Sequence, residues 1–386
     1  GRSYLQLAFL ADYLWFGNRN ATSDLDLHVD ESFLHWEKGP LELRLGKQIV
    51  RWGKTDQISP VDNLNHQDLR LFVIPDLEER KMPDWMLRAR YFLDSLTLEG
   101  VYLPFFKADE VDYFGSDWAY FKHFKQDMLR YPLPPAIRDF VADLDVDEDT
   151  PAWTLANGQY GARLAATVGD VDLAASYFYG WNTQPYFSSF PLQGATFGGS
   201  FKAADVARAF AGRLHLGEDI EVDYHRCQAL GFEFETTVNT FGVRGEVSYV
   251  DQRPFLTDRL LSTDKPVFFY VLGIDYLGMD DWYANLQFAH QVINSYDDEI
   301  LYFKHHNTAL NGELRKNFCR GDLEASLRYH CSLSDNGYFL KPKLVYKPVP
   351  DLELTVGCCF FGGDEDTYLG VFRDNDVMFT EMTWNF

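Results

Sequence analysis

The sequence predicts an all-β fold: a transmembrane up-and-down antiparallel β-barrel of about sixteen strands, with a small helical insertion in one external loop. Three observations predict it. Segments of roughly ten to fifteen residues alternate apolar and polar side chains along the whole chain. The connections between them alternate too, short after even-numbered segments and long after odd-numbered ones. Aromatic residues make up 16% of the 386 positions, with 32 Phe, 22 Tyr and 9 Trp, a composition suited to β-structure.

The alternating segments fall near 4–17, 24–36, 41–54, 84–95, 96–107, 158–169, 171–182, 219–237, 239–250, 267–279, 282–294, 305–318, 321–333, 337–347, 352–361 and 376–386. Turn residues dominate the tight connections Glu37–Pro40, Asp94-Ser95, Gly169-Asp170, Val238-Asn239, Gly278–Asp281, Cys319–Gly321 and Val349–Asp351, as short hairpins require. The long connections are 55–83, 108–157, 183–218, 251–266 and 362–375. A soluble sandwich has no reason to gather its short turns at one end. A membrane barrel does, with short periplasmic turns and longer external loops. An even strand count then places both chain ends on the periplasmic side, and residues 1–386 form a single barrel.

The two faces of each segment expect different solvents. Leu323, Ala325, Leu327, Tyr329 and Cys331 alternate with Asp322, Glu324, Ser326, Arg328 and His330. An apolar face with aromatics towards its ends suits lipid, whereas charges of both signs need water or ion pairs. On this pattern Arg44, Arg51, Lys54, Arg88, Arg90, Arg163, Arg244, Glu246 and Arg328 line a polar lumen. In the stretch LELRLGKQIVRWGKTD the apolar phase slips near Gly46-Lys47, which predicts a bulge there. The connection 55–83 that follows is dense in charge. Folded inward, its Asp56, Asp62, Asp68, Arg70, Arg80 and Lys81 narrow the pore and pair with Arg51, Lys54, Arg88 and Arg90. The other arrangement open to it lies over the external rim.

Two segments are not strand-like. Residues 116–131 and 134–144 predict helices, with Ser116 as an N-cap and Pro134-Pro135 at a helix start, so 108–157 folds as a subdomain over or inside the mouth. Its run Asp143, Asp145, Asp147, Glu148 and Asp149 reads either as a solvated acidic loop or as a divalent-cation site. It lacks the glycine and terminal glutamate of an EF-hand, and no metal site is assigned. The final segment, VMFTEMTWNF, has the pattern of the terminal strand that the barrel-assembly machinery recognises, ending at Phe386.

Other classes are excluded. A net charge of −23 argues against nucleic acid. No run of 18 apolar residues supplies a transmembrane helix. The chain opens inside a strand-like segment without a signal peptide, so a leader is expected to have preceded it. The five Cys form no CxxC pair and no haem-attachment motif, and a disulfide among them stays open. No GxSxG, HExxH or phosphate-binding glycine loop appears, so neither enzyme nor cofactor is expected.

The run LGKQIVRWGKTD, then NLNHQDLR, then IPDLEERKMPDWMLRARY resembles a large proteobacterial family of outer-membrane proteins defined by a domain of unknown function. The likeness extends through LTLEGVYLPFF and, more weakly, VDLAASYFYGWN and VRGEVSYVD. His66 stands where that family pattern would have Pro, which implies a looser turn. The resemblance implies an outer-membrane barrel of a Gram-negative bacterium. Members are often encoded beside exporters of the resistance-nodulation-division type, which implies transport of hydrophobic or amphipathic compounds. The function expected is therefore a porin-like conduit for a small polar or amphipathic solute, in contact with lipid and lipopolysaccharide. The alternative is a barrel that sheathes or docks a periplasmic or extracellular partner, such as a multihaem cytochrome or a filament.

Overall fold

Sixteen antiparallel strands form one sheet in a computed structural model that describes residues 1–15, 23–193, 213–214, 219–278 and 281–384. They are β1 (Arg2–Gln6), β2 (Ser32–Lys38), β3 (Leu41–Gln48), β4 (Asp84–Leu93), β5 (Leu96–Leu103), β6 (Gln159–Val168), β7 (Val171–Trp181) and β8 (Arg226–Val238). There follow β9 (Phe241–Leu256), β10 (Ser262–Leu277), β11 (Trp282–Ile293), β12 (His306–Phe318), β13 (Leu323–Ser332), β14 (Tyr338–Val349), β15 (Leu352–Gly362) and β16 (Val377–Trp384). Each strand pairs with its sequence neighbours, so the order is that of a meander. Among the described residues no ladder joins β1 to β16.

The hairpins beginning at Lys38, Leu93, Val168, Val238, Phe318 and Val349 are tight, and they all lie at one end of the sheet. Asn239 and Asp94 adopt positive φ (58° and 45°), the left-handed geometry that matches a two-residue turn to the strand twist. The opposite end carries the long connections. Residues Phe9–Trp15 and Ser23–Val29 extend the β1–β2 hairpin there as a separate two-stranded ladder, and Ser32 Oγ bonds both the N–H (3.0 Å) and the carbonyl (3.2 Å) of Ala8 at the break.

Leu34, Leu45, Leu87, Leu98, Leu164, Leu230, Leu272, Leu286, Leu314 and Leu344 all lie on the outer face and are exposed, Leu45 at 55% and Leu272 at 50%. Trp85, Tyr160, Phe268, Trp282, Phe318 and Tyr346 sit nearer the strand ends and are exposed as well. A continuous apolar band of this extent is not a surface that water solvates. No helix is long and apolar enough to cross a membrane, which says nothing about strands.

Several expectations need correction. The third strand stops at Gln48 rather than running to residue 54, so Arg51 and Lys54 are not strand residues. The β2–β3 and β3–β4 registers run unbroken through Gly46 and Lys47, and the expected bulge is absent. Gly46 is still required: its φ is 142°, and a Cβ would lie 2.3 Å from the Ser32 carbonyl oxygen. The span 251–266 is mostly strand, since β9 and β10 run 16 residues each and project beyond their neighbours past a register shift between Val250 and Arg253. The helix expected over 116–131 is confined to Phe124–Leu129, because Lys122 takes a positive φ of 43° and interrupts it. His123, not Ser116, precedes that helix. The second helix, Pro135–Asp143, starts at the expected prolines. All five Cys are free. Phe386 lies outside the described residues.

Two clusters lie at the long-connection end. Phe106, Phe121, Phe124, Met128, Val141, Phe187 and Ile220 form one core, which joins the 104–158 and 182–225 connections. A small sheet of Tyr186–Ser189, Ile220–Asp223 and Val146–Asp149 braces it. Phe72, Trp118, Phe339, Phe361 and Phe372 form the other. Trp118 reaches Phe361 (ring centroids 5.3 Å apart), and Asn375 Nδ2 donates to the Asp117 carbonyl (2.6 Å). The connection that leaves β5 therefore crosses to the β15–β16 side before returning to β6.

Candidate functional site

Chain leaving β3 turns onto the polar face of the sheet and stays there until β4 begins. It is held first by apolar contact. Trp52 and Leu64 pack with Met86, Val101, Leu103, Phe178, Cys227 and Ala229, side chains on the inner face of β4, β5, β7 and β8. Trp52 is 1% exposed, and its indole N–H donates to Glu99 Oε1 (2.9 Å), whose other oxygen accepts from Arg88 (2.8 Å). Burial of such side chains contributes about 1.5–3 kcal/mol each. Two inner-face glycines make room: a Cβ on Gly161 would lie 2.7 Å from the Trp52 ring, and one on Gly231 2.8 Å from Val61.

Polar contacts complete the docking. Asn65 accepts from the Val50 N–H (2.8 Å) and donates to the carbonyls of Gln48 and Met82 (2.9 Å each), which ties the segment's start to its end. Lys81 Nζ meets Asp62 Oδ1 at 2.5 Å, with both side chains at most 3% exposed. Glu246, projecting from β9, accepts from the N–H groups of Lys54 (2.5 Å) and Thr55 (2.6 Å) and from the hydroxyls of Thr55 and Ser59 (2.7 Å each). Gly53 permits this approach: its φ is 106°, and a Cβ would meet Ser59 Oγ at 2.2 Å. His66 donates its backbone N–H to Asp84 Oδ2 (3.1 Å), and its ring Nδ1 lies 2.9 Å from the same oxygen. Proline has no N–H to donate, so histidine tightens this turn rather than loosening it.

The segment then faces the opposite wall. Arg244 donates to the Lys54 carbonyl (2.7 Å) and to Asp56 (3.1 Å), and Asn285 on β11 donates to Asp56 (3.1 Å). Gln57 reaches the Gly312 carbonyl on β12 (2.8 Å). Arg328 on β13 pairs with Asp76 and donates to the carbonyls of Val73 (2.7 Å) and Ile74 (2.9 Å), while Lys341 on β14 also bonds Ile74 (2.9 Å). One segment of about thirty residues touches strands from β4 to β14 only if the sheet curls round it. Between the segment and β11–β14 remains a cavity of about 270 Å³, with Asp56 and Glu78 on the segment side and Arg315, Arg328 and Lys343 on the strand side. A second cavity of about 230 Å³ opens beside Lys54, Ser95 and Arg163 near the tight turns.

The charged residues singled out from sequence divide into two groups. Asp56 and Arg244 meet each other, Lys81 meets Asp62, and Arg328 meets the segment at Asp76. Arg51 pairs with Glu78, within the segment itself, and Lys54 with Glu235 of β8 (2.9 Å). Asp68 pairs with Arg70 (2.7 Å) and takes the Arg80 carbonyl through its N–H (2.7 Å). Arg88, Arg90, Arg44 and Arg163 do not meet segment carboxylates: they pair with Glu99, Glu42, Glu42 and Glu233 on the sheet itself. The basic wall expected at Arg88 and Arg90 lies instead on β12–β14.

Above the segment, Asp109 accepts from the Gln67 N–H (2.8 Å) and the Thr183 hydroxyl (2.9 Å), joining three connections. Full burial pushes its carboxyl up to about 6, against the lowering effect of those bonds. The acidic run after Asp143 gathers no three potential ligands, and no such metal-binding group occurs among the described residues.

Sequence comparison matches a family profile described as a protein of unknown function, DUF1302, over residues 19–329. No curated protein sequence matches. Among solved structures the chain is similar to the outer membrane channel DcaP of Acinetobacter baumannii, with 10% identity and a TM-score of 0.42 over 100% of this chain and 82% of that one. It is also similar to a mutant Rh. blastica porin, with 10% identity and a TM-score of 0.43 over 100% of both chains. The third likeness is to Pseudomonas aeruginosa OpdQ, with 10% identity and a TM-score of 0.43 over 98% of this chain and 90% of that one.

Proposed function

The chain belongs to the family of proteins of unknown function DUF1302, and we propose that it is an outer-membrane, porin-like channel for small polar solutes. One observation carries the proposal: a charged segment docked on the polar face of a curled sheet leaves a charge-lined cavity along one wall. The exposed apolar band supports placement in lipid, and the tight turns at one end support a periplasmic orientation for that end. In this reading the connection 55–83 is the constriction loop. Arg244, Glu246 and Arg328 are the wall residues that hold it, and 108–157 is an external cap. Acidic groups on the segment and basic groups on β12–β14 set up a transverse field. Polar solutes align with such a field, while apolar ones lose hydration without compensation.

A barrel that sheathes a protein needs a free interior, and a segment bonded from β4 to β14 supports a solute path instead. Docking of a partner on the rim remains compatible with it, as does insertion by the barrel-assembly machinery through the last strand. Purified protein reconstituted into planar bilayers provides the test. Discrete conductance steps are expected, together with liposome permeability to small sugars that falls off with solute size. A silent bilayer with correctly folded protein contradicts the proposal.

A further inference from the structure

The strand registers place Arg315, Ser326 and Lys343 directly opposite one another across β12, β13 and β14. They form one transverse row on the inner face, with Tyr283 of β11 opposite Arg315 on the other side. One row further from the tight turns lie Asn285, Glu313, Arg328 and Lys341. The two rows do different things. Arg328 and Lys341 are committed to Asp76 and to the segment's carbonyls. Arg315 and Lys343 are half-buried beside the same cavity, and their side chains make no hydrogen bond or ion pair among the described residues. Arg315 rests its guanidinium 4.8 Å from the centre of the Tyr283 ring, which orients it.

The local charge balance differs from the chain's. The cavity is lined by Asp56, Asp76, Glu78 and Glu313 and by Arg315, Arg328, Lys341 and Lys343, four charges of each sign, in a protein whose net charge is −23. Asp56 is engaged by Arg244, Asp76 by Arg328 and Glu78 by Arg51, which leaves Glu313 beside the two uncommitted cations Arg315 and Lys343. Adjacent strands lie about 4.8 Å apart, so the two cations stand roughly 10 Å from each other with the Ser326 hydroxyl between their roots. Arg315 leans on Tyr283, on the side away from Ser326, and swung back from that ring it and Lys343 are long enough to converge above the hydroxyl. A guanidinium fork, a compact ammonium and a neutral donor on one side of a cavity form the donor set that binds the oxygens of a carboxylate or phosphate.

We propose that the Arg315–Ser326–Lys343 row is an oxyanion-binding station on the permeation path, so that the solutes favoured are small anions bearing a carboxylate or phosphate. The proposal rests on the channel reading for its role in permeation, but binding is measurable without conduction.

The experiment titrates the full chain in detergent micelles with sodium benzoate and, separately, sodium phosphate, by calorimetry, and repeats both with an Arg315→Gln/Lys343→Gln variant. Heat-modifiable migration on gels confirms that each protein is folded. Saturable binding of benzoate, phosphate or both by the wild type, weakened at least about fivefold in the variant, is expected. Benzoate alone assigns a carboxylate, phosphate alone a phosphate. Should the double variant misfold, Lys343→Gln and Ser326→Ala serve singly, each with a smaller loss. Absence of saturable binding, or equal binding by wild type and variants, overturns the station. Bilayer recordings on the same samples separate the two claims: conduction without binding leaves the channel standing and removes the station, and binding without conduction does the reverse.

Discussion

The two walls that face the inward segment treat it differently. The wall of β4 to β8 meets it with Met86, Val101, Leu103 and Phe178, two glycines that let Trp52 and Val61 sit against the backbone, and few water-accessible atoms. The wall of β11 to β14 meets it only through separate polar contacts, at Asn285, Gly312, Arg328 and Lys341, and a cavity survives between them. Close packing needs dry, complementary surfaces, whereas a solute path needs polar groups that water can reach. The segment is thus packed dry against one wall and bonded across a polar cavity to the other.

The largest effect expected lies in the segment's own fold, on the side packed against that dry wall. Lys81→Ala leaves Asp62 as a buried, unpaired charge and should cost about 3–5 kcal/mol, read as a lower denaturant midpoint. Replacing both, Lys81→Met with Asp62→Leu, should recover most of that loss. If the single variant were as stable as wild type, this pair would not hold the end of the segment to its middle.

The next test compares the outside of the sheet with its inside at adjacent positions. Leu327 shares the outer face with Leu314, its cross-strand partner, and Leu327→Arg should cost about 2–4 kcal/mol and impair assembly. Arg328→Gln should still assemble, because its cost falls on the contact with residues 73–76, and it should alter conductance and ion preference instead. Equal tolerance at the two sites would mean that both faces meet water.

A smaller effect belongs to the glycines. Gly161→Val forces Trp52 off the wall and should destabilise by about 1–3 kcal/mol, with a changed conductance because the segment is displaced towards the cavity. Unaltered stability and conductance would show that the close approach is not needed.

The smallest effect is local and depends on pH. The Asp109 carboxyl is raised by burial from 3.8 to about 6, so the folded state favours its protonated form. Its contribution is fully present below pH 4 and is lost as pH rises through about 6. Protection of the cap amides, residues 104–123, measured against the intrinsic exchange rate at each pH, should therefore be lower at pH 7.5 than at pH 5, and Asp109→Asn should flatten that difference. A cap equally protected at both pH values, in wild type and variant alike, would detach Asp109 from its stability.

Most of the sheet was legible because alternation and turn chemistry are local. Asp94-Ser95 or Gly169-Asp170 announces a hairpin without reference to anything distant. Partner choice is not local. Arg88 and Arg90 share one alternation phase of β4, but their partners Glu99 and Glu42 follow from register, which alternation alone does not set. The apolar inner wall was missed for the same reason: Met86, Val101 and Phe178 lie far apart in sequence and become one surface only in the sheet. Arg315 and Lys343 could have been found. LNGELRK and LKPKL carry inward charges at period two, the signal already used for Arg88 and Arg90. Arg51 and Lys54 were misplaced because the alternation was carried past Gln48, where the ladder ends.

The central claim is that this segment narrows a conducting pore from the dry wall. Single-channel recording of a variant in which residues 57–80 are replaced by a short glycine-serine linker tests it most directly. A several-fold rise in conductance, with weaker discrimination between ions, is the predicted result. Conductance equal to that of the wild type, in a folded and inserted protein, would contradict the account.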